Sequence, residues 1–148
     1  MSQRLHLSHV GPRYAPDAAL EQLDVTVTRI WLRDTWGAWS RNRRRIFIAS
    51  GLTPVQERCV LAHEVEHVLA GDAGCSNMAV AVRQERRADV EAARKLIGIS
   101  DLATVAQWAP DVYTAAAELG VTERMLRVRL NDLQGEGWPW RDGSKIAG

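Results

Sequence analysis

Residues 53–71 of the chain are Thr53-Pro54-Val55-Gln56-Glu57-Arg58-Cys59-Val60-Leu61-Ala62-His63-Glu64-Val65-Glu66-His67-Val68-Leu69-Ala70-Gly71. Threonine is favoured just before a helix, proline is favoured at the first helical position, and Gln56 is placed to complete a capping box. Gly71 is the residue type that most often ends a helix in the left-handed conformation. The stretch therefore predicts a helix over residues 54–70 whose two ends are encoded locally.

The centre of this helix carries His63-Glu64-Val65-Glu66-His67, an H-E-x-x-H pattern. Residues four apart lie on one face of a helix, so both imidazoles can reach one metal ion. Glu64 projects beside them, at a distance suited to a water bound to that metal. We therefore predict a zinc site with His63 and His67 as ligands and Glu64 as the catalytic base.

A catalytic zinc needs a third protein ligand and one position left open for water. The longer metzincin pattern requires glycine at position 70 and histidine at position 73, but alanine stands at both. A second helix, predicted over residues 79–97, carries Glu85 and Asp89 four apart on one face. In such a pair one carboxylate can bind metal while the other orients a ligand histidine. We predict Glu85 as the third ligand and Asp89 as the orienting carboxylate.

Other assignments stay open at this point. Glu91 is a rival carboxylate, although it lies off the helix face shared by Glu85 and Asp89. Cys75, in the glycine-rich segment after His67, could also reach the metal, and a thiolate would make the site more structural than catalytic. Alternatively, Glu85 and Asp89 belong to a solvated helix face and form ion pairs with neighbouring arginines.

The remaining pattern predicts an α+β fold. A short helix covers residues 16–23, and alternating apolar residues predict strands at 25–32, 38–40 and 45–49, with a basic turn at 41–44. We expect these strands to form a small antiparallel three-stranded sheet packed on the metal-binding helices. Ser100 is expected to cap a helix over 101–109, Pro110 to open one that ends at 119, and Thr122 to cap one that ends near 133. The predicted units are residues 1–99 with the metal site, a helical subdomain at 100–134 and a loose tail at 135–148.

Residues 114–130 of this subdomain are similar to a helix-turn-helix, with Gly120 at the turn. The second helix carries Arg124, Arg127 and Arg129 against two acidic residues. Its net charge of +1 is small for a surface that binds DNA phosphates. We therefore favour a structural or repressor-docking role over DNA reading.

Composition excludes several classes of protein. The chain has 148 residues, 46% of them hydrophobic, and a net charge of +1, which argues against a disordered chain and against a charge-driven nucleic-acid coat. No run of about 18 apolar residues is present, so no membrane association is expected. The two cysteines, Cys59 and Cys75, are expected to be thiols in a reducing compartment, which predicts a cytoplasmic protein.

The residues of these two helices resemble a known family, the ImmA/IrrE-type metallopeptidases, which are gluzincin-like proteins common in phages, mobile elements and bacterial stress regulation. The resemblance lies in residues 61–67 and in the run of glutamate, alanine and aliphatic residues at 85–97, and it covers about residues 20–100. It implies that His63, His67 and Glu85 bind zinc and that Glu64 is the catalytic base. Glu66 departs from the family, which often has glycine there, and we expect this carboxylate to alter the charge preference for substrate.

The implied function is a zinc-dependent endopeptidase that hydrolyses a peptide bond in a protein, by resemblance a transcriptional repressor of a phage or mobile element. Tyr113, His6 and His9 are candidates, by chemistry alone, for the group that stabilises the oxyanion. The alternative is a non-hydrolytic regulator that has a peptidase-like core and binds DNA or a repressor through residues 111–133.

Overall fold

The computed structural model describes residues 13–134, 137–141 and 144–145 and has the predicted α+β architecture. The helices are α1 (Pro16–Leu23), α2 (Pro54–Ala70), α3 (Met78–Leu96), α4 (Ile99–Ala106), α5 (Val112–Leu119) and α6 (Glu123–Asp132). The strands are β1 (Thr26–Ile30), β2 (Gly37–Ser40), β3 (Arg45–Ala49), β4 (Trp140–Arg141) and β5 (Ser144–Lys145). None of the described helices is long and apolar enough to cross a membrane.

The predicted three-stranded sheet is present, but its pairing is mixed rather than wholly antiparallel. Its strand order is β1-β3-β2. β2 is antiparallel to β3, with Gly37 opposite Ile48, whereas β1 is parallel to β3, with Thr26 opposite Arg45. The chain reverses direction twice between β1 and β3, so these two strands point the same way. They pair in parallel because β3 occupies the centre of the sheet, and β2 is left as an edge strand.

Local capping sets both ends of α2, as the sequence predicts. The Thr53 hydroxyl accepts a hydrogen bond from the Gln56 backbone N–H, and the Gln56 side chain accepts one from the Thr53 backbone N–H. Gly71 ends the helix in the left-handed region with φ 68°. These contacts fix where α2 begins and ends, so that the central histidines lie well inside a regular helix.

Two hydrophobic clusters hold α2 on two of its faces. Leu61 and Val65 pack against Ile46 and Ile48 of β3 and against Leu20 of α1. On the second face, Cys59 and Ala62 belong to a larger cluster that also includes buried residues of α3, α4, α5 and α6. A helix that is apolar on two sides is buried, so the remaining face of α2 is the one that can line a cleft.

The C-terminal helices match the prediction in number and differ from it at their starts. α4 begins at Ile99 after Gly98, so Ser100 lies inside the first turn and is not its cap. α5 begins after Asp111, whose carboxylate accepts a hydrogen bond from the Thr114 N–H, so the capping side chain and not Pro110 sets this end. Thr122 caps α6 as predicted.

The segment predicted to be a loose tail is only partly described. Residues 135, 136, 142, 143 and 146–148 lie outside the described residues, as do His6 and His9. Trp140 is buried in the larger hydrophobic cluster, and its indole N–H donates a hydrogen bond to the carbonyl oxygen of Ala109 at 3.0 Å. The boundary at residues 99 and 100 stays a prediction.

Candidate metal centre

His63 and His67 lie one turn apart on the face of α2 that neither hydrophobic cluster covers. Their Nε2 atoms are 3.0 Å apart, and their rings meet edge to face with centroids 4.8 Å apart. The side chains are only 14% and 8% exposed. The helix therefore brings two largely buried imidazoles to one point, as their spacing predicts.

Glu85 reaches the same point from α3. One carboxylate oxygen is 2.9 Å from His67 Nε2 and the other is 3.0 Å from His63 Nε2. The donor atoms of these three residues all lie within 4.8 Å of one another. Glu85 is 64% exposed, so this carboxylate closes the cluster on the open side. The structure thus juxtaposes the three predicted ligands, while metal binding by them stays a prediction.

The rival ligands are not part of this cluster. Glu91 is 3.1 Å from the Arg94 guanidinium, as an ion-paired residue on the surface of α3. Cys75 is an exposed free thiol that lines the same cleft, but it is not among the grouped donor atoms. Of the alternatives, Glu85 is therefore the one that the geometry favours.

Each histidine has a carboxylate at its other ring nitrogen. Asp89 lies 2.8 Å from His63 Nδ1, and Asp72 lies 2.8 Å from His67 Nδ1. An ionised carboxylate only accepts hydrogen bonds, so Asp89 and Asp72 are each placed to hold the proton of a neutral imidazole on Nδ1 when Nε2 faces a metal ion. Both Nε2 atoms then present lone pairs to the cluster. This is the tautomer that a metal ligand requires.

Asp89 has the contact that an orienting carboxylate requires, whereas sequence reasoning missed Asp72. A local signal for Asp72 existed. Gly71 in the left-handed conformation turns the chain back over the end of α2, and the Asp72 N–H bonds to the carbonyl oxygen of His67 at 3.0 Å. An aspartate directly after the glycine that ends such a helix therefore returns to the histidine of the last turn.

An arginine pairs with each of these aspartates. Arg87 of α3 contacts Asp72, and Arg124 of α6 contacts Asp89 at 2.6 Å and 3.2 Å. Burial acts to raise the pKa of both aspartates, but the hydrogen bonds from arginine and histidine outweigh it, so that each pKa lies below its usual range. Both carboxylates therefore stay ionised in the folded protein.

The pKa of His63 follows from the same contacts. Burial acts to lower it, but the hydrogen bond to Asp89 and the charges of Glu64, Asp89 and Glu85 together raise it above the ordinary value. The carboxylates around the imidazole therefore attract a positive charge, whether this is a proton or a metal ion.

Glu64 is buried beside the histidines and against the edge strand. It is 5% exposed, and burial raises its pKa while the two histidines act to lower it. A Cβ atom added to Gly37 of β2 would lie 2.9 Å from the Glu64 carboxylate and 2.6 Å from the Val60 side chain. Sequence reasoning missed this contact, because it placed Gly37 in the turn before the strand at 38–40, whereas β2 begins at Gly37.

The donor set fits a divalent metal ion. With the protons on Nδ1, two imidazole lone pairs face each other at 3.0 Å and a carboxylate lies within 3.0 Å of both. This arrangement is repulsive without a cation between the atoms. Four carboxylates surround the imidazoles, and two arginines contact two of these carboxylates. With the imidazoles neutral, the site therefore has a formal charge of −2. The carboxylates are Glu64, Asp72, Glu85 and Asp89, and the arginines are Arg87 and Arg124. Two histidines and one glutamate are typical ligands of catalytic zinc.

The cluster lies at the floor of a cleft of about 760 Å³. β2 forms one wall, and the segment with Gly74 and Cys75 and the start of α6 form others. Tyr113, a candidate oxyanion group, is 70% exposed and is not among the residues that line this cleft, so its position does not favour that role. Among the described residues that line the cleft, Arg124 is the only arginine.

Glu66 was expected to face the substrate, but it lies away from the cleft. It is 7% exposed, and its carboxylate lies 2.5 Å from Lys95 Nζ, at the contact between α2 and α3. It does not line the cleft, so its position does not support the expected effect of Glu66 on substrate charge preference, which stays a prediction. The cause is helical geometry, because a residue next to His67 points about 100° away from it.

The basic side chains of α6 are largely used within the protein. Arg129 is buried and donates hydrogen bonds to the carbonyl oxygen of Ile97 and to Asp132. Arg124 contacts Asp89, and Arg127 lies 3.9 Å from Glu123. These contacts do not favour a DNA-reading surface, and the preference for a structural or repressor-docking role stays a prediction.

Comparison with known proteins places these residues in a family. A search of curated proteins finds no significant match to the chain. The sequence model of the Peptidase M78 family, described as the IrrE N-terminal-like domain, matches residues 17–131, more than three quarters of the chain. The match includes every residue of the metal cluster and supports a metallopeptidase-like function. The chain belongs to this family of IrrE N-terminal-like peptidases.

Proposed function

We propose that the protein is a zinc-dependent endopeptidase that hydrolyses a peptide bond in a protein substrate. One observation carries the proposal. The Nε2 atoms of His63 and His67 and the carboxylate of Glu85 converge at the floor of an open cleft, with the buried carboxylate of Glu64 beside them. This arrangement contains a ligand set with an open side and a separate base, which hydrolysis by a metal site requires.

His63, His67 and Glu85 would hold the zinc, with Asp89 and Asp72 keeping the two imidazoles in the required tautomer. Bound there, zinc supplies a water of lowered pKa and a Lewis acid for the scissile carbonyl. Glu64 takes the proton from the attacking water and passes it to the leaving amine. Burial raises the pKa of Glu64, which is the direction expected for a carboxylate that must both accept and donate a proton.

The edge strand supports an extended peptide as the substrate. The carbonyl oxygen of Trp36 accepts a hydrogen bond from Ala49 on β3, so the polar backbone groups of Gly37 and Trp39 alternate to the other edge of β2. A peptide that adds to this edge lies next to Gly37 and therefore close to the Glu64 carboxylate, which Gly37 adjoins. Thr35 occupies part of the edge, since its hydroxyl bonds to both the N–H and the carbonyl oxygen of Gly37.

The identity of the substrate is proposed from the family resemblance. ImmA/IrrE-type proteins suggest a transcriptional repressor of a phage or mobile element, whose cleavage would relieve repression. The cleft supports this choice only to the extent that it accepts an unfolded or extended segment of a protein chain.

The test combines metal content with cleavage of β-casein and of candidate repressors. We expect about one zinc per chain in the parent protein, and greatly reduced zinc in His63→Ala, His67→Ala and Glu85→Ala. Glu64→Gln should keep its zinc and lose about 10²- to 10⁴-fold in cleavage rate, because only the base is removed. Glu21→Gln, on the exposed surface of α1, is the matched control and should behave as the parent.

Two results would contradict the proposal. Cleavage by Glu64→Gln at the parental rate would remove Glu64 as the base. Well-folded parent protein that binds no zinc, when prepared without a chelator, would remove the metal site and leave the peptidase-like fold with a binding role.

A further inference from the structure

We propose that Arg124 is a positioning residue of the metal centre and acts through Asp89 on His63. The proposal rests on the metal site described above, and it gives the C-terminal helix α6 a part in that site. Arg124 was considered in the sequence only as a contact for DNA. It lines the catalytic cleft, 35 residues along the chain from the aspartate that it contacts.

The first step of the argument is the geometry of the Asp89 carboxylate. Its Oδ1 lies 2.8 Å from His63 Nδ1 and 3.2 Å from one Arg124 nitrogen, and its Oδ2 lies 2.6 Å from the other. A two-pronged contact with a guanidinium fixes the plane of a carboxylate as well as its charge. The direction of the lone pair that receives the His63 proton is therefore set by Arg124.

The second step concerns charge. Asp89 is only 15% exposed, and its carboxylate is needed in the ionised form to accept the proton of His63 Nδ1. A largely buried carboxylate is costly without a cation beside it. Arg124 supplies that cation at 2.6 Å, and His63 remains free to be neutral and to offer its Nε2 lone pair.

The third step separates this role from a purely structural one. The Arg124 side chain is 67% exposed, so its truncation leaves no cavity in the core, and water can take its place beside Asp89. α6 is held on the core by the buried side chains of Met125 and Leu126, which lie on another part of the helix. Loss of the guanidinium should therefore leave the fold intact and disturb Asp89 alone.

The second histidine has a matching arrangement that supports this interpretation. Arg87 contacts Asp72, and Asp72 contacts His67 Nδ1. Both histidines thus have an aspartate backed by an arginine, although the residues come from different elements. Arg124 is the member of this set that lies outside the α2–α3 region, so the docking of α6 completes the surroundings of His63.

The test measures zinc affinity directly, by competition between the full-length protein and a chromophoric chelator, with zinc alone as the probe. The variants are Arg124→Gln, Asp89→Asn and the double variant. Arg127→Gln is the matched control, because Arg127 is on the same helix, is 51% exposed and contacts only Glu123 among the ion pairs of the described residues. Thermal unfolding of the zinc-free forms checks that each variant is folded.

We expect Arg124→Gln to bind zinc about tenfold more weakly than the parent, at the lower end of the range for residues that orient metal ligands. The unfolding temperature and the zinc affinity of Arg127→Gln should match the parent. Because Arg124 acts through Asp89, the double variant should bind zinc no more weakly than Asp89→Asn alone.

Parental zinc affinity in Arg124→Gln would overturn the inference. So would a double variant whose loss is the product of the two single losses, since Arg124 would then act independently of Asp89. These outcomes are distinct from failure of the metal site itself, in which the parent protein would not bind zinc and neither proposal would stand.

Discussion

Gly37 is the residue at which the edge strand touches the proposed catalytic base, and Gly37→Ala tests how the site is built. The added Cβ would lie 2.6 Å from Val60 Cγ1 and 2.9 Å from Glu64 Oε1, both shorter than the 3.0 Å below which such contacts essentially do not occur. Gly37 does not have a positive φ, so alanine is acceptable to the backbone. The effect of the substitution should therefore come from these two contacts.

The expected magnitude follows from the displacement that relieves them. An ordinary contact would require the Glu64 carboxylate to retreat by about 0.5 Å and Val60 by about 1 Å. Valine in a helix has one strongly preferred rotamer, so β2 and α2 must move apart. Overpacking of this kind costs about 1–3 kcal/mol of stability. A misplacement of about 1 Å can cost 10²-fold in rate, so we expect roughly a tenfold to hundredfold loss of cleavage.

The assay compares zinc content, urea unfolding and the rate of β-casein cleavage. Zinc content should match the parent, because His63, His67 and Glu85 are not touched. Gly74→Ala is the control, since Gly74 lines the same cleft and an added Cβ there meets nothing within 4 Å. This variant should cleave at the parental rate.

A double variant, Gly37→Ala with Val60→Ala, separates the two contacts. It removes the Val60 contact and keeps the one with Glu64, so the packing strain should be relieved while the rate stays low. Parental cleavage by Gly37→Ala alone would refute the reasoning, because the base could then not be in contact with β2. Full recovery of rate in the double variant would show that Val60, and not Glu64, is the sensitive contact.

Two further predictions concern the substrate edge and the pH dependence of stability. Thr35→Val should lower KM about threefold to tenfold with little change in kcat, because a peptide no longer competes with the Thr35 hydroxyl for the backbone groups of Gly37. The control Thr35→Ser keeps the hydroxyl and should match the parent. An unchanged KM for Thr35→Val would contradict strand addition at this edge. The second prediction uses Asp132, whose pKa is lowered by Arg94 and Arg129. A lowered folded-state pKa means that ionised Asp132 stabilises the fold above the unfolded value of about 3.9, and that this contribution is lost as the pH falls through the folded value. Urea unfolding should therefore show Asp132→Asn less stable than the parent at pH 7, with a difference that shrinks as the pH falls below about 3.9, whereas a difference that does not change with pH would refute the assignment.

The parts of the fold that sequence predicts well are those encoded by neighbouring residues. The ends of α2 agree with the prediction because Thr53, Gln56 and Gly71 act within one turn of them. The three strands were predicted from alternation, but their order was not. Strand order depends on which strand packs on α2 and α1, and no pattern within a strand reports that choice.

In the candidate site, too, the residues predicted correctly are those whose spacing in the sequence places them together. His63, Glu64 and His67 lie within five residues, and Glu85 and Asp89 share a helix face, so their spacing was sufficient to group them. Asp72 was also within reach of local reasoning, because it follows the glycine that ends α2. It was missed because a single aspartate after a helix is an ordinary turn residue.

Gly37, Arg87 and Arg124 could not be predicted in the same way. Gly37 is explained only once β2 is known to lie against α2, and Arg124 only once α6 is known to pack on α3. In the sequence, Arg124 is one of several exposed arginines on a helix with a net charge of +1. The chemical meaning of such residues depends on tertiary contacts between elements that are far apart in the chain.

These contacts explain why one face of α2 can carry a reactive site. The helix is held by apolar side chains on two sides, so its histidines cannot turn away from the cleft. Asp89 and Asp72 fix the outer nitrogen of each ring, and two arginines keep both aspartates charged. The Nε2 lone pairs of His63 and His67 and the Glu85 carboxylate are left facing the cleft, and the site as a whole has a formal charge of −2. A divalent cation balances that charge and relieves the repulsion between the ring nitrogens, so the surroundings of the histidines, and not the five-residue pattern alone, are the physical argument for a metal at this position.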